Sequence, residues 1–411
     1  MKKKALILST IFLVLTTIIV LVVYIPIYKE NKRIKEEQER IANATIIVEL
    51  KEPRTITFMQ EVHVSDFIEN INGKLKDDFI IETDTLGKQT VKFKYTNDEG
   101  IEIPYKYSIE VIDDVPPEIW LGNSKSIAVG TSDEMFREKI TCADNLDDNP
   151  KCEIIGDYNL NKVGSYPLTF KATDNYNNTT EKKFTLNVYQ PKPSSSQSSK
   201  RSSWQIASII KDYKTDKTKI GIDVSSWQGD IDFQRVKDAG VEFVIIRVGS
   251  GKGIETDRFV DRKFEQNIKG FNAVGLPVGV YFYSYANSKA EAIKDAEFVL
   301  EQIKDYKVEL GVAYDWESWS FFNNFHQSFY STTMNAKAFL DTISAKGYKG
   351  MLYSSKNYLE KVWYPLNDYD VWLAHYTTHT SYKGKYKIWQ LASNGKVPGI
   401  NGFVDMNIMY E

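Results

Sequence analysis

The chain begins with a long uncharged and mostly apolar stretch. After three lysines come 24 uncharged residues, Ala5 to Tyr28. As a helix this stretch would span about 36 Å, more than the roughly 30 Å of a bilayer core. The pattern predicts either an uncleaved signal anchor or a cleaved secretory signal peptide. The bulky Tyr24-Ile-Pro-Ile-Tyr28 lacks the small residues of a cleavage site, which favours the anchor.

The residues after this stretch carry many charges. Three lysines precede the span, and three lysines and an arginine follow it closely, so charge alone does not fix its orientation in the membrane. Because a short N-terminus need not cross the membrane, residues 1–28 are predicted to be a cytoplasmic tip and anchor. All later residues are then outside the cell, and residues 29–43 form a helix-prone juxtamembrane stalk.

Residues 44–190 show short alternating apolar and polar positions separated by turn clusters, which is typical of β-strands. The segment from Leu86 to Gly100 recurs 77 residues later, from Val163 to Asn177. In each copy a glycine opens a strand, a polar turn follows, and a second alternating strand closes the unit. The repeat predicts two β-sandwich modules, 44–113 and 114–190, each ending in a hairpin.

The second module contains both cysteines of the chain, Cys142 and Cys152. Outside the cell this spacing favours a disulfide bond, with two free buried thiols as the alternative. The intervening loop carries Asp144, Asp147 and Asp148. These acids are either calcium ligands or, as we expect, a solvated acidic turn.

The C-terminal region, residues 217–411, changes to strand–helix alternation after a predicted Pro/Ser-rich linker at 191–216. Amphipathic stretches from Lys289 to Tyr306 and from Ser331 to Lys346 predict helices, which alternate with short apolar runs. The last three apolar runs have no room for full helices between them. We therefore expect about eight strands and five helices, an α/β barrel-like fold with a largely parallel sheet. The predicted strands are Ile220–Val224, Phe243–Val248, Val278–Tyr283, Leu310–Asp315, Gly350–Tyr353, Val371–Tyr376, Lys387–Leu391 and Val404–Ile408.

Four carboxylates lie where predicted strands end, which is where the chemistry of such barrels is found. They are Asp223, Asp315, Glu317 and Asp405. Asp315 and Glu317 are two residues apart, so on an extended strand they point to the same side. Two acids held close in a partly apolar site ionise unequally, and one becomes a proton donor. Cleavage of a glycosidic bond requires that asymmetry.

Composition limits the alternatives. The net charge of −3 argues against a nucleic-acid-binding protein, because such proteins carry a strongly basic domain. The four histidines do not cluster at metal-ligand spacing, so we predict no metal site and no cofactor. Aromatic residues make up 13% of the chain, which is compatible with a sugar-binding surface or with well-filled strands.

The motifs of the C-terminal region resemble, in order, those of glycoside hydrolase family 25, the Chalaropsis-type lysozymes. They are Gly221-Ile-Asp-Val-Ser-Ser-Trp-Gln-Gly229, Tyr281-Phe-Tyr-Ser-Tyr-Ala286, Asp315-Trp-Glu317, Leu352-Tyr-Ser354, Trp372-Leu-Ala-His-Tyr376, Ile388-Trp-Gln390 and Val404-Asp-Met-Asn407. One stretch departs from the family pattern, because Arg247-Val-Gly-Ser-Gly251 stands where many members have Lys-x-Ser/Thr-Glu-Gly. The second β module, with its Pro-Pro-x-Ile opening before Trp120, resembles bacterial immunoglobulin-like modules that act as spacers or adhesive domains.

The resemblance to family 25 implies a (β/α)5(β)3 fold and hydrolysis of the β-1,4 bond between N-acetylmuramic acid and N-acetylglucosamine. It implies that Glu317 is the general acid and that Asp223, Asp315 and Asp405 complete the acidic site. It also implies a neighbouring-group route, in which a carboxylate such as that of Asp315 orients the substrate's 2-acetamido group. The candidates for substrate contacts, each with barrel packing as the alternative, are Arg247, Tyr281, Tyr283, Tyr353, Tyr376 and Gln390.

Two classes of function remain open. The first is a membrane-anchored extracellular peptidoglycan hydrolase of a Gram-positive-type bacterium, acting in wall remodelling, division or local wall opening. The second is a non-catalytic wall-binding or adhesive protein, against which the presence of all four acids argues. A phage endolysin is disfavoured by the predicted anchor, because an endolysin must reach the wall freely.

Overall fold

The computed structural model describes residues 24–192, 203–251, 257–317 and 320–411. The chain divides into two compact units, Met1–Asp114 and Val115–Glu411. Most of the predicted anchor lies outside the described residues. In the part of the chain that the structure describes, no helix is both long enough and apolar enough to cross a bilayer.

The described part of the first unit consists of a charged helix followed by a β module. The helix covers the predicted stalk, and its exposed i,i+4 ion pair between Lys32 and Glu36 is typical of a solvated helix. A four-stranded sheet has the order β2-β6-β5-β4, and β1 pairs with β3. The elements of this unit are α1 (Ile25–Ala42), β1 (Val48–Leu50), β2 (Thr55–Thr57), β3 (Ile68–Ile71), β4 (Gly73–Leu75), β5 (Gly87–Asn97) and β6 (Glu102–Ile112).

The second unit opens with the second β module. Its four-stranded sheet has the order β10-β11-β12-β8, and β7 pairs with β9. The predicted hairpins are present in both modules, as β5–β6 and as β11–β12. Membership of the immunoglobulin-like class stays a prediction. The elements are β7 (Glu118–Ile119), β8 (Ser124–Ala128), α2 (Asp133–Arg137), β9 (Cys142–Ala143), β10 (Lys151–Ile155), β11 (Gly164–Thr173) and β12 (Thr179–Tyr189).

The rest of the second unit is a closed barrel. Among the described residues eight strands form the ring β14-β15-β17-β18-β19-β20-β21-β22, which closes through the pairing of β22 with β14. The pairs from β14 to β21 are parallel, whereas β22 is antiparallel to both of its neighbours. The strands are β13 (Trp204–Gln205), β14 (Thr218–Val224), β15 (Phe243–Ser250), β16 (Phe259–Val260), β17 (Val278–Tyr283), β18 (Gly311–Asp315), β19 (Gly350–Ser355), β20 (Asp370–Ala374), β21 (Ile388–Lys396) and β22 (Val404–Tyr410).

Helices accompany the first five crossovers of the barrel, as the sequence predicts, and in the described residues none follows β20 or β21. Gly240, with φ of 96°, ends the first crossover helix in the left-handed conformation that glycine adopts without strain. The helices are α3 (Ile206–Tyr213), α4 (Phe233–Asp238), α5 (Phe264–Ala273), α6 (Lys289–Ile303), α7 (Ser320–Phe325), α8 (Phe329–Ser344) and α9 (Lys356–Lys361).

The linker prediction was too long. The described residues resume at 203 and form β13 and α3, and Ile206 and Ile209 are buried against the barrel. Two apolar residues three positions apart give this short segment a buried helical face, which outweighs the disorder expected from the neighbouring serines. Within 191–216, residues 193–202 lie outside the described residues.

Candidate active site

Strand alternation decides which side chains enter the barrel. Along β15, Val244 and Ile246 pack outward against the helices, whereas Phe243 and Ile245 belong to a separate inner core. A Cβ atom added to Gly221 would lie 2.4 Å from the ring of Phe243. The absence of a side chain at Gly221 therefore leaves the space that this ring fills. Side chains that alternate in phase with Phe243 and Ile245 but lie nearer the strand ends point into the cleft and not into the packed interior.

Three adjoining hollows form this cleft. The middle one, of about 140 Å³, is lined by all four predicted acids, Asp223, Asp315, Glu317 and Asp405. All six predicted substrate-contact residues also line this hollow or the neighbouring one of about 240 Å³. The structure thus brings the whole predicted set together at one end of the barrel.

Asp223 is buried and held by two amide groups. The side-chain nitrogens of Gln390 and Asn407 each donate to its Oδ2 over 2.8 Å. Burial raises the pKa of Asp223 to about 6, and the two amide hydrogen bonds oppose that rise. Because two fixed donors engage Oδ2, this carboxylate has a set position in the floor of the cleft.

A second layer of donors orients those amides. The hydroxyls of Tyr353 and Tyr376 donate to Gln390 Oε1 over 2.9 and 3.0 Å. Trp372 Nε1 donates to Asn407 Oδ1 over 2.8 Å. Since both amide oxygens are occupied by donors, the amide nitrogens must face Asp223. Tyr353 and Gln390 therefore position Asp223, whatever they also contribute to substrate contact.

Asp315 and Glu317 share a hydrogen bond at the end of β18. Asp315 is buried, and its pKa is raised well above the usual range by that burial and by the charge of Glu317. The pKa of Glu317 is also raised, mainly because the cleft walls displace water, although hydrogen bonds to Asp315 and Tyr353 oppose the shift. Because the two carboxyls interact, they titrate as a pair and not independently.

Asp405 faces Asp223 across the antiparallel pair β14–β22, where the two residues are direct partners. Burial, followed by the charges of Asp223 and Glu317, raises the pKa of Asp405 to about 8. The pKa of each of the four acids is therefore raised, so the four carboxyls do not all ionise together near neutral pH. The unequal ionisation of Asp315 and Glu317 that the sequence indicates stays a prediction.

Arg247 is not a free cation in the cleft. Its Nε donates to Asp261 Oδ2 over 2.7 Å, and the same oxygen accepts the Ser226 backbone N–H over 3.0 Å. Asp261 is a buried residue that the sequence reasoning missed, because it lies in an irregular segment without a motif. Arg247 still lines the cleft, and with Asp261 it fixes the loop that carries Trp227.

Residues 222–400 match the family model described as Glycosyl hydrolases family 25. These residues form a family 25 glycosyl hydrolase domain. This match agrees with the resemblance seen in the sequence and includes Asp223 and Asp315, two acids of the cleft floor that lie on its strands.

Named relatives share about a quarter of their residues with this chain. The autolytic lysozyme of Clostridium acetobutylicum is 28% identical over 193 residues, which are 46% of this chain and 56% of that protein. Lysozyme M1 of Streptomyces globisporus is 24% identical over 215 residues, 46% of this chain and 66% of that protein. The structure of a family 25 glycosyl hydrolase from Bacillus anthracis is 22% identical, covers 49% of this chain and 93% of its own, and has a TM-score of 0.42. The chain spans little more than half the length of the Clostridium relative.

Trp227 is a residue of the family 25 domain that the sequence reasoning quoted in a motif but did not select. Its side chain is 83% exposed beside the acids, although a large indole is usually buried. Ser225 caps the short turn that carries it, with its Oγ accepting the Trp227 N–H over 3.2 Å. An indole held in solvent at the mouth of a polar cleft is a candidate for stacking on a sugar ring.

The acidic loop of the second β module differs from the solvated turn that we expected. The structure joins Cys142 and Cys152 in a disulfide bond. Asp144 and Asp147 are buried, and Asp144 Oδ1 accepts the backbone N–H groups of Leu146 and Asp147. The expectation of a solvated turn was wrong for Asp144 and Asp147, because backbone hydrogen bonds within the loop and to the start of α8 hold this segment against the protein.

Proposed function

We propose that the protein is a peptidoglycan hydrolase that cleaves the β-1,4 bond between N-acetylmuramic acid and N-acetylglucosamine. The observation that carries the proposal is the meeting of four carboxyl groups in one open cleft, with Asp315 and Glu317 side by side at the end of β18. Glu317 is the more exposed of the two and faces the space that a glycan would occupy. It is therefore the acid in position to reach a leaving oxygen.

The reaction that fits this arrangement proceeds in two steps. First the carbonyl oxygen of the substrate's own 2-acetamido group attacks the anomeric carbon, while Glu317 gives its proton to the departing glycosidic oxygen. Asp315 accepts the acetamido N–H and stabilises the positive oxazolinium ring. Then water attacks the anomeric carbon, Glu317 takes the water proton, and the ring reopens to leave the β anomer.

Asp223 and Asp405 supply the electrostatic setting for these steps. Asp223 is fixed by Gln390 and Asn407, so it keeps its position as charge develops on the sugar ring. Asp405 is held protonated by burial and by Asp223, which limits the total negative charge of the cleft. The resulting site keeps one charge-stabilising carboxylate close to a proton donor.

The experiment is to digest defined peptidoglycan with the full-length protein, purified in mild detergent, and to reduce the products with borohydride before mass spectrometry. Reduced muramic acid at the new ends identifies cleavage after N-acetylmuramic acid, and reduced glucosamine would contradict the proposed bond. Glu317→Gln should lower the rate about 10³-fold, in the range for a general acid. Glu301→Gln, an exposed glutamate on α6, is the matched control and should leave the rate unchanged.

The outcome also separates the two classes of function. If wild type and Glu317→Gln are equally inert on several wall preparations, the protein is a wall-binding protein and not a hydrolase. Proton NMR of a fresh digest tests the route independently. The β anomer should form first, and an α anomer as the first product would contradict the neighbouring-group mechanism while leaving the bond assignment intact.

We further propose that residues 1–28 anchor the protein in the cell membrane with the catalytic domain outside. The uncharged run from Ala5 to Tyr28 and the disulfide bond between Cys142 and Cys152, a bond typical of oxidising compartments, support this placement. Fractionation of the native host, followed by protease treatment of intact protoplasts, tests it. The protein should stay with the membrane and be digested from the outside, whereas recovery in the culture medium would contradict an uncleaved anchor.

A further inference from the structure

The second β module is fixed to the family 25 domain through the N-terminus of helix α8. The backbone N–H groups of Phe329 and Tyr330 donate to the carbonyl oxygens of Asp144 and Asn145 over 2.9 and 3.0 Å. The first N–H groups of a helix have no partner within the helix, so here the disulfide-bounded loop supplies their acceptors. The module thus completes a structural requirement of the barrel.

Further contacts surround this junction. Asp148 accepts the Ser328 N–H over 2.6 Å and the Ser331 hydroxyl over 2.8 Å, next to the positive end of the helix dipole. Ala143 belongs to the same hydrophobic core as the barrel residues. Glu118, on β7, forms an ion pair with Lys361 over 3.2 Å. Polar, apolar and charged contacts together hold β7 at a defined place on the barrel.

The residue that follows β7 is Trp120, and this placement brings its indole to the cleft. Its ring centroid lies 5.4 Å from that of Tyr358, and the two rings meet at 64°. The Tyr358 hydroxyl in turn donates to the backbone oxygen of Glu317 over 2.9 Å. Trp120 remains 37% exposed, so one part of the indole packs against the barrel while another faces solvent.

The space beside Trp120 is the largest of the three hollows of the cleft. It has a volume of about 460 Å³, and its lining includes Glu317, Trp120, Tyr358, His375 and Tyr376. It shares Glu317 and Tyr376 with the hollow that holds the acids. A polymer bound across the acids would therefore continue into this space.

We propose that Trp120 and Tyr358 form an additional sugar-binding subsite, so that the second β module is part of the active site. The ligand is a further pyranose unit of the glycan strand whose cleavage is proposed above, and the inference rests on that proposed function. Two aromatic rings meeting at an open angle offer flat apolar faces on which the C–H faces of a pyranose pack. A spacer or adhesive module would not require an aromatic residue at this place.

The experiment compares glycan fragments of different length. Isothermal titration measures the affinity of a peptidoglycan tetrasaccharide and octasaccharide for full-length Glu317→Gln, in which binding is read without turnover. Adding Trp120→Ala should weaken octasaccharide binding roughly tenfold, the loss expected for truncation of an aromatic anchor, and leave tetrasaccharide binding within twofold. Trp120→Phe should restore most of the affinity, because it keeps a flat apolar ring.

Tyr176→Ala is the matched control, since Tyr176 is a 53% exposed aromatic residue of the same module that does not line the cleft. It should leave the affinities for both fragments unchanged. Equal affinities for Trp120→Ala and its parent at both lengths would overturn the subsite. An equal loss at both lengths would also overturn it, because it would assign Trp120 a purely structural role.

This titration separates the subsite from the proposed function. A wild-type protein that binds the octasaccharide through Trp120 but releases no reducing ends would retain the subsite and refute the hydrolase. A wild-type protein that cleaves glycan strands but shows no length-dependent effect of Trp120→Ala would retain the hydrolase and refute the subsite.

Discussion

The cleft has two regions that are built in different ways, an acidic floor and an aromatic edge. The floor is formed by inward-facing residues of the barrel strands, and its central carboxylate, Asp223, is held by an amide network buried in the protein. The edge is formed by Trp227 on a loop and by Trp120 on a separate module, both with solvent-facing rings. Fixed, desolvated charges suit transition-state chemistry, whereas exposed apolar rings suit reversible binding. Floor substitutions should therefore lower kcat, and edge substitutions should raise KM.

The largest effect is expected on the floor, from Asp315→Asn. The substitution keeps the shape of the side chain and removes the charge that would stabilise the oxazolinium ring, so kcat should fall roughly 10²–10³-fold with little change in KM. Steady-state kinetics on soluble glycan strands measures both constants. Asp305→Asn, at an exposed position, is the control. A variant that changes KM but not kcat would contradict the proposal that floor residues act mainly on the chemical step.

Trp227→Ala should produce the opposite pattern at the edge. Because its side chain is 83% exposed, removal of the indole should leave the fold intact and raise KM about tenfold, with kcat within about twofold. The same kinetic assay tests this, and Trp227→Phe should recover most of the loss. A large fall in kcat with unchanged KM would mean that Trp227 acts in the chemical step, as the floor residues do, and not in substrate binding.

The edge should also depend on the docking of the second module, which Asp148→Ala tests. The substitution removes the acceptor of the Ser328 N–H and of the Ser331 hydroxyl at the start of α8. The free energy of unfolding should fall by about 1–2 kcal/mol, as when a helix cap is removed. Urea denaturation followed by fluorescence measures the change. Asp157→Ala, at an exposed position in the same module, should change it little, and equal stability of the two variants would argue against this anchoring contact.

The smallest effect concerns the pH dependence of stability. The pKa of Asp405 is raised to about 8 in the folded protein, above the usual value of 3.8, so the folded state binds the extra proton. Its contribution to stability is therefore fully present below about pH 4 and is lost as the pH rises through 8. Asp405→Asn should reduce the fall in Tm between pH 5 and pH 8.5, measured by calorimetry. A steeper fall in the variant than in wild type would contradict the raised pKa.

Several features of the floor follow from local sequence because strand alternation is a local rule. Asp315 and Glu317 lie two apart at the end of an apolar run, and this spacing is enough to predict that they share a side. Asp223 and Asp405 end up as direct partners because their strands pair in the closed barrel. The sequence places each acid at a strand end, but the pairing between distant strands is a tertiary event.

Other residues of the site carry no local signal. Asp261 lies in an irregular segment, yet it orients Arg247 through a contact that spans 14 positions of the chain. The acidic loop between Cys142 and Cys152 has the composition of a solvated turn, yet Asp144 and Asp147 are buried, and backbone carbonyls of the loop accept from the start of α8. Composition reports the average preference of a side chain, whereas such contacts depend on which surfaces meet.

The sequence by itself determined the repeated hairpins, the succession of barrel strands along the chain and the placement of the four acids near strand ends, because hydrophobic periodicity and strand-end motifs are encoded over a few residues. Only the tertiary structure decided that Trp120, almost 200 residues before Glu317, lines the same cleft. Hydrogen bonds to the start of α8, a shared apolar core and the Glu118–Lys361 ion pair bring the module there. These are contacts between surfaces distant in sequence, and periodicity along a single segment contains no information about them.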